Sequence, residues 1–187
     1  MACDLSKGRL ELCKDAIGGI KAVYFMNAGD GTIVESSDDI ITDLGVVTVY
    51  KYVTKDISNF EETINSSRET GTTFWEQVLN LTVKQLNSVT RKELKLMAYG
   101  NPYVFVQDNN NNVLFLGRTF GMEVTGGTVT SGTAMGDLSG YTMVLTGREQ
   151  EPANFLTAAA DPTAADYPFD SMTNTVTITA GADPPAF

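Results

Sequence analysis

Apolar and polar residues alternate with a period of two along much of this chain, the period of a β-strand with one dry face and one wet face. The clearest run is residues 74–83. Trp75, Leu79, Leu81 and Val83 share one face with Gln77, while Phe74, Glu76, Val78, Asn80 and Thr82 share the other. Trp75, beside Leu79 and Leu81, is expected in the core. Residues 20–26 set Ile20, Ala22 and Tyr24 against Lys21, Val23 and Phe25. Residues 46–53 are β-branched and aromatic with both faces apolar, which predicts a strand covered on both sides. A more polar strand is expected over 57–66, followed by a turn at 68–71.

The period changes once. Residues 91–98 read as a helix, with Thr90 as N-cap and Glu93 completing a capping box, Val89 and Leu94 forming a hydrophobic staple, and Leu94, Met97 and Ala98 as the buried stripe. Gly100 and Pro102 end it. Short strands follow at 103–107 and 113–117 around an Asp108–Asn112 turn, then at 119–124 and 141–146. Many short strands joined by Asn, Asp and Gly turns, with one helix, predict a mainly β fold: a sandwich or barrel with a flanking helix. After Pro152 the composition shifts to Ala, Pro, Asp and Thr, with one strand-like run at 173–179. This divides the chain into a β domain over 1–151 and an extended arm over 152–187, the arm adding a strand to another chain.

Composition narrows the function. The chain has 187 residues, enough for one domain with a substantial core. No apolar run approaches the roughly 18 residues that cross a bilayer, so no membrane anchor is expected. The charged start, MACDLSKGRLELCKD, does not read as a secretion signal. Cys3 and Cys13 are too few for a disulfide scaffold and are expected as reduced, partly buried thiols. The chain holds 23 acidic and 13 basic residues and no histidine, a net charge of −10. That balance leaves no surplus for a basic phosphate-binding face. Residues 28–45 carry Asp30, Glu35, Asp38, Asp39 and Asp43 with no Lys or Arg, and the segment after Glu151 is also free of cations. A loop this long has a task in most compact domains. Asp38, Asp39, Ile40 and Ile41 are therefore candidate contacts to a neighbouring subunit. Arg91, Lys92 and Lys95 form the one basic spot, a solvated helix face or a dock for an acidic segment of a neighbour.

Catalytic constellations are missing. Without histidine no Ser-His-Asp or Cys-His arrangement exists, and neither a P-loop nor a dinucleotide fingerprint is present. Asp38-Asp39 and Asp108–Asn112 lack the spacing of a calcium loop. Glu61 and Glu62 are strand neighbours and point to opposite faces. No enzyme, metal or cofactor is expected.

Three segments carry a resemblance. Residues 74–117, FWEQVLNLTVKQLNSVTRKELKLMAYGNPYVFVQDNNNNVLFLG, resemble the middle of a family of tailed-bacteriophage virion proteins: a long strand, a helix of the type RxExKxLA, a hydrophobic strand, a polar turn and a strand ending in LG. Residues 131–153, SGTAMGDLSGYTMVLTGREQEPA, resemble its closing strand, and residues 3–25 resemble its opening. The nearest class is the tail tube, or major tail, protein. The resemblance implies a β-sandwich with a flanking helix, subunits joined in commonly hexameric rings whose strands form one inner barrel, and rings stacked around a DNA channel. The partners it implies are further copies of the chain, other phage tail proteins, and DNA that passes without specific binding. The location implied is the virion, after synthesis in the bacterial cytoplasm. Tube, terminator, ring and baseplate-hub roles all stay open. On this reading Glu76 and then Glu62 are the candidates for an acidic lumen that repels DNA. Two other classes remain: a secreted or surface-displayed β-sandwich binding module, carbohydrate-binding or adhesin, and a hydrolase using carboxylates alone.

Overall fold

Strand β1 (Ile20–Met26) is buried along almost its whole length on both faces, and this dictates a layered architecture. Six of its seven side chains leave water, so something must cover each side of the sheet that contains it. In the computed structural model, which describes residues 16–54 and 57–181 together with residues 8 and 14, that sheet has eight strands. The strands are β1, β2 (Val34–Glu35), β3 (Ile40–Asp43), β4 (Val47–Val53), β7 (Tyr103–Asp108), β8 (Val113–Leu116), β11 (Asn154–Leu156) and β12 (Val176–Ala180), in the order β12-β4-β1-β7-β8-β11-β3-β2. A second sheet, in the order β5-β6-β10-β9, is built from β5 (Asn59–Ser67), β6 (Thr72–Lys84), β9 (Glu123–Thr130) and β10 (Gly140–Glu149). Among the described residues there is one helix, α1 (Ser88–Tyr99), which connects β6 to β7.

Two apolar clusters result. The first lies between the sheets: Val23, Phe25, Val104, Val106 and Leu116 of the large sheet meet Leu79, Leu81, Tyr141, Met143 and Leu145 of the small one, with Leu94 of α1. The second lies on the other face of the large sheet, where Tyr24, Phe105 and Phe115 meet Ile41, Leu44, Leu156, Phe169 and Val176. Over the described residues the protein is mainly β with one helix, as its alternation predicts, and its strands form two open sheets.

The departures have physical causes. The helix starts at Ser88, because Asn87 takes the cap: its backbone is extended and its side chain accepts from the Val89 amide at 2.9 Å. Asn caps at least as well as Thr, and the earlier start adds helical residues. Thr90 then lies within the first turn, Val89 and Ala98 are exposed, and neither the capping box nor the staple forms. The helix does end at Gly100, whose amide bonds the Leu96 carbonyl. The strand expected over 119–124 begins at Glu123, because residues 117–121 form a turn closed by Gly121 N–H to Gly117 O at 2.9 Å. Gly117 has φ +68°, and a Cβ there would lie 2.6 Å from the Gly121 carbonyl carbon, so only glycine fits.

Trp75 is only half-buried, unlike Leu79 and Leu81, which are fully buried. It lies toward the tip of the β5–β6 hairpin, opposite Ile64, which is 57% exposed; the two sit beyond the cover of the large sheet.

The largest departure is the C-terminal segment. The expected arm, through residue 181, is woven into the large sheet: β11 pairs with β8 and β3, and β12 runs parallel to β4 of the same chain. Phe169 packs edge-on against Tyr24 and Phe105, with centroids 5.2 and 5.5 Å apart. The second face of β1 and β7 is too apolar to remain wet, and the apolar residues Leu156, Phe169 and Val176 of this otherwise polar segment supply its cover. Residues 182–187, and the expectations for Cys3 and Cys13, lie outside the described residues.

Candidate assembly interface

The four-stranded sheet has one face in the core and one facing out. On β6 the outward residues are Phe74, Glu76, Val78, Asn80, Thr82 and Lys84; register places Thr142, Val144, Thr146 and Arg148 beside them on β10. Asn59, Glu61, Thr63 and Asn65 continue the face on β5, and Glu123, Thr125 and Thr128 on β9. Hydroxyl pairs tie it together, Thr125 to Thr146 at 3.0 Å and Thr128 to Thr142 at 2.6 Å. The face is polar and close to neutral: Glu61, Glu76 and Glu123 stand against Lys84 and Arg148.

Glu76 lies on this face, where its Oε1 accepts from Arg148 Nε at 3.1 Å and Nη2 at 3.0 Å. Glu62 does not. It stands opposite Gln77, on the core side, and its Oε1 accepts from Gln77 Nε2 at 3.0 Å and from the Ala153 amide at 2.8 Å. Consecutive strand residues point to opposite faces, so it is Glu61 that shares the side of Glu76. Glu62, the second lumen candidate, therefore lies on the opposite face of the sheet from Glu76.

Both edges of this sheet are open. Among the described residues β5 and β9 each have one neighbour, and they are nine and eight residues long. Both are largely exposed, and β5 contains neither Lys nor Pro, the usual guards of a lone edge.

The two edges belong to different flanks. On the β9 flank, α1 packs against β9, and Tyr141 O–H donates to the Asn87 carbonyl at 3.1 Å. Arg91, Lys92 and Lys95 are exposed on the helix, with Lys95 5.9 Å from the centroid of the Tyr99 ring. Val89, Leu96 and Tyr99 are also exposed, Tyr99 by 80%. Between α1 and the eight-stranded sheet lies a groove of about 390 Å³, lined by Phe25, Tyr50, Tyr52, Leu96 and Met97 among others. Burial, and then the nearby Glu93 carboxylate, push the Tyr52 hydroxyl up to about 12.

On the β5 flank a polar strut joins the sheets. Arg118 holds Glu35 of β2 in a short ion pair, reaches Glu151 at 3.5 Å and donates to Asn154 Oδ1 at 3.2 Å. Asn154 Nδ2 donates to Glu35 at 3.0 Å and to the Asp39 carbonyl at 3.1 Å. Buried Gln77 accepts from the Gly117 amide at 2.9 Å, and buried Glu149 accepts from the amides of Thr119 and Phe120, each at 3.0 Å. This strut lines a cavity of about 180 Å³. Its polar groups hold one another and the backbone, an arrangement suited to fixing the turn after β8. One sign of it is visible in the alternation of β6, where Gln77 stands on an otherwise apolar face.

The remaining predicted contacts fall at the rim. Asp38 and Asp39 are exposed on the tight turn between β2 and β3, where Asp39 has φ +59°. Ile40 is half-buried, and Ile41 is fully buried in the second core, so Ile41 is a packing residue and not a free contact. Among the described residues no group of three or more acidic or cysteine side chains is placed to hold a metal, and no helix is long and apolar enough to cross a membrane. Comparison of the chain with known protein families, with curated proteins and with solved structures found no match.

Proposed function

We propose that this chain is a structural subunit of a tailed-phage virion that self-assembles into rings, commonly hexameric in the family it resembles, stacked as a tail tube that conducts DNA. The observation that carries the reading is the four-stranded sheet with two open edges of nearly equal length and an outward polar face. Pairing β9 of one copy with β5 of the next satisfies both rows of backbone groups. A head-to-tail contact of this kind closes into a ring when the rotation per step divides a full turn. The joined sheets form a barrel whose wall is the Thr- and Asn-rich face.

That wall replaces the strongly acidic lumen. With Glu76 paired to Arg148 and few other charges, it presents hydroxyls and amides and has no excess of cations to hold phosphates. DNA then slides for want of attraction, with only weak repulsion, which physiological salt screens beyond about 8 Å. The proposed role is non-enzymatic, and the proposed partners are further copies of the chain, other tail proteins and passing DNA. Light scattering on the purified chain, at concentrations up to tens of micromolar, tests the reading. The expected result is a discrete multiple of the monomer mass, or polymer; a monomer at every concentration, with other tail proteins present as well, contradicts it.

A further inference from the structure

The groove between α1 and the eight-stranded sheet plays no part in the proposed assembly, and its lining has a chemistry of its own. Its floor is aromatic. Tyr50 and Tyr52 are two residues apart on β4 and share a face, with Phe25 of β1 opposite Tyr50 in the register. Phe25 and Tyr52 meet edge to face with centroids 5.2 Å apart, a contact that fixes the Tyr52 ring. The wall is one side of α1, where Glu93, Leu96 and Met97 stand. At about 390 Å³ the groove is large enough to take a whole side chain.

The charge within the groove is negative. Glu93 is half-buried, lies close enough to the Tyr52 hydroxyl to disfavour its ionisation, and among the described residues forms no ion pair. The groove runs on to Gly100 and Asn101 at the C-terminus of α1, the negative end of the helix dipole, and the last turn carries no basic residue to offset it. Among the described residues no Lys or Arg lines the groove. The cations of α1 lie elsewhere on the helix: Arg91 and Lys95 are about 160° around it from Glu93 and Lys92 about 100°, and all three are exposed.

We infer that this groove binds a guanidinium group, the side chain of an arginine presented by a partner polypeptide. Charge complementarity selects the cation, and the lining selects its shape. The planar guanidinium stacks on the tyrosine floor, and its N–H groups donate to the Glu93 carboxylate and to the carbonyls at the helix end. Its apolar stem covers Leu96 and Met97. A polypeptide fits better than a free cation, because Val89 and Leu96, each 56% exposed and seven residues apart on one side of α1, form an apolar strip beside the groove. Residues flanking the arginine cover that strip, and a free cation leaves it wet. The site stands independently of the ring reading.

Saturation-transfer NMR on the purified full chain tests this, and it reads binding to a monomer or to an assembly alike. The probes are the peptide acetyl-Leu-Arg-Leu-amide, its citrulline counterpart, which keeps the shape and loses the charge, and N-acetyl-arginine amide. The arginine peptide is expected to bind with a Kd of about 1 mM, the citrulline peptide about tenfold more weakly and N-acetyl-arginine amide about fivefold more weakly. Glu93→Gln should weaken the arginine peptide about fivefold and leave the citrulline peptide within about twofold. Tyr52→Leu should weaken it similarly, while Tyr52→Phe, which keeps the ring, stays within about twofold of the parent. Circular dichroism melting confirms that each variant is folded. Equal binding of the citrulline peptide would identify a neutral occupant and overturn the inference. Arginine-peptide binding unchanged by Glu93→Gln would place the cation elsewhere and do the same. N-acetyl-arginine amide binding as tightly as the peptide would identify a free cation as the ligand and overturn the polypeptide. No saturation transfer at about 10 mM peptide would remove the site, whatever the state of assembly.

Discussion

Asp43 and Asn174, 131 residues apart, are clasped together. Asp43 Oδ2 accepts from Asn174 Nδ2 at 2.6 Å, and Asp43 Oδ1 accepts from the Asn174 amide at 3.2 Å and the Gly45 amide at 3.0 Å. The contact locks the C-terminal segment onto β3 just before β12 joins β4. Burial alone would raise the pKa of Asp43, but hydrogen bonds from Gly45, Asn174 and Leu44 outweigh it and hold the carboxyl below the usual range.

The clasp has a pH signature. A carboxyl with a lowered folded-state pKa contributes stability that is fully present above its unfolded value, near 4, and is lost as pH falls through the folded value. Urea denaturation from pH 7 down to pH 2 should therefore show stability declining in the acid range. Asp43→Asn should cost about 1–3 kcal/mol at pH 7 and flatten part of that decline. An unchanged midpoint at pH 7 would show that the clasp adds nothing.

Leu79→Ala removes a fully buried side chain between the two sheets and should cost about 2–5 kcal/mol in urea. Trp75→Ala, at the half-exposed end of the same strand, should cost clearly less despite the larger side chain. Equal losses would place the hairpin tip inside the core.

The helix cap separates two residues that both look suitable in the sequence. Asn87→Ala should lower stability by about 1 kcal/mol, and Thr90→Ala by a few tenths at most. Thermal or urea midpoints of the two variants decide it; the reverse order would move the helix start to residue 91.

These cases show what was legible before the fold. Period-two alternation placed the core face of β6 at Leu79 and Leu81, and β1 matches its predicted span. Alternation is local, so it says nothing about where a strand runs out of cover, and Trp75 was misplaced for that reason. Helix ends were harder, because Asn87 and Thr90 can both cap and only the competition between them decides. The C-terminal segment looked like an arm because Ala, Pro and Asp dominate it. Its role depends on three scattered apolar residues meeting a sheet face formed over a hundred residues earlier, and no local pattern reports that. Of the candidate site, the basic helix face and the Asp38-Asp39 turn could be read from charge alone. The position of Glu62 required the register of β5 against β6, and the Arg118 strut joins residues far apart in sequence.

In the proposed assembly the open edges of the small sheet join copies of this chain into rings. Negative-stain electron microscopy of the purified chain tests it most directly. Closed rings, or tubes of stacked rings, with a stain-filled axial channel are expected; fields of separate monomers, or irregular aggregates without a channel, would rule the ring assembly out.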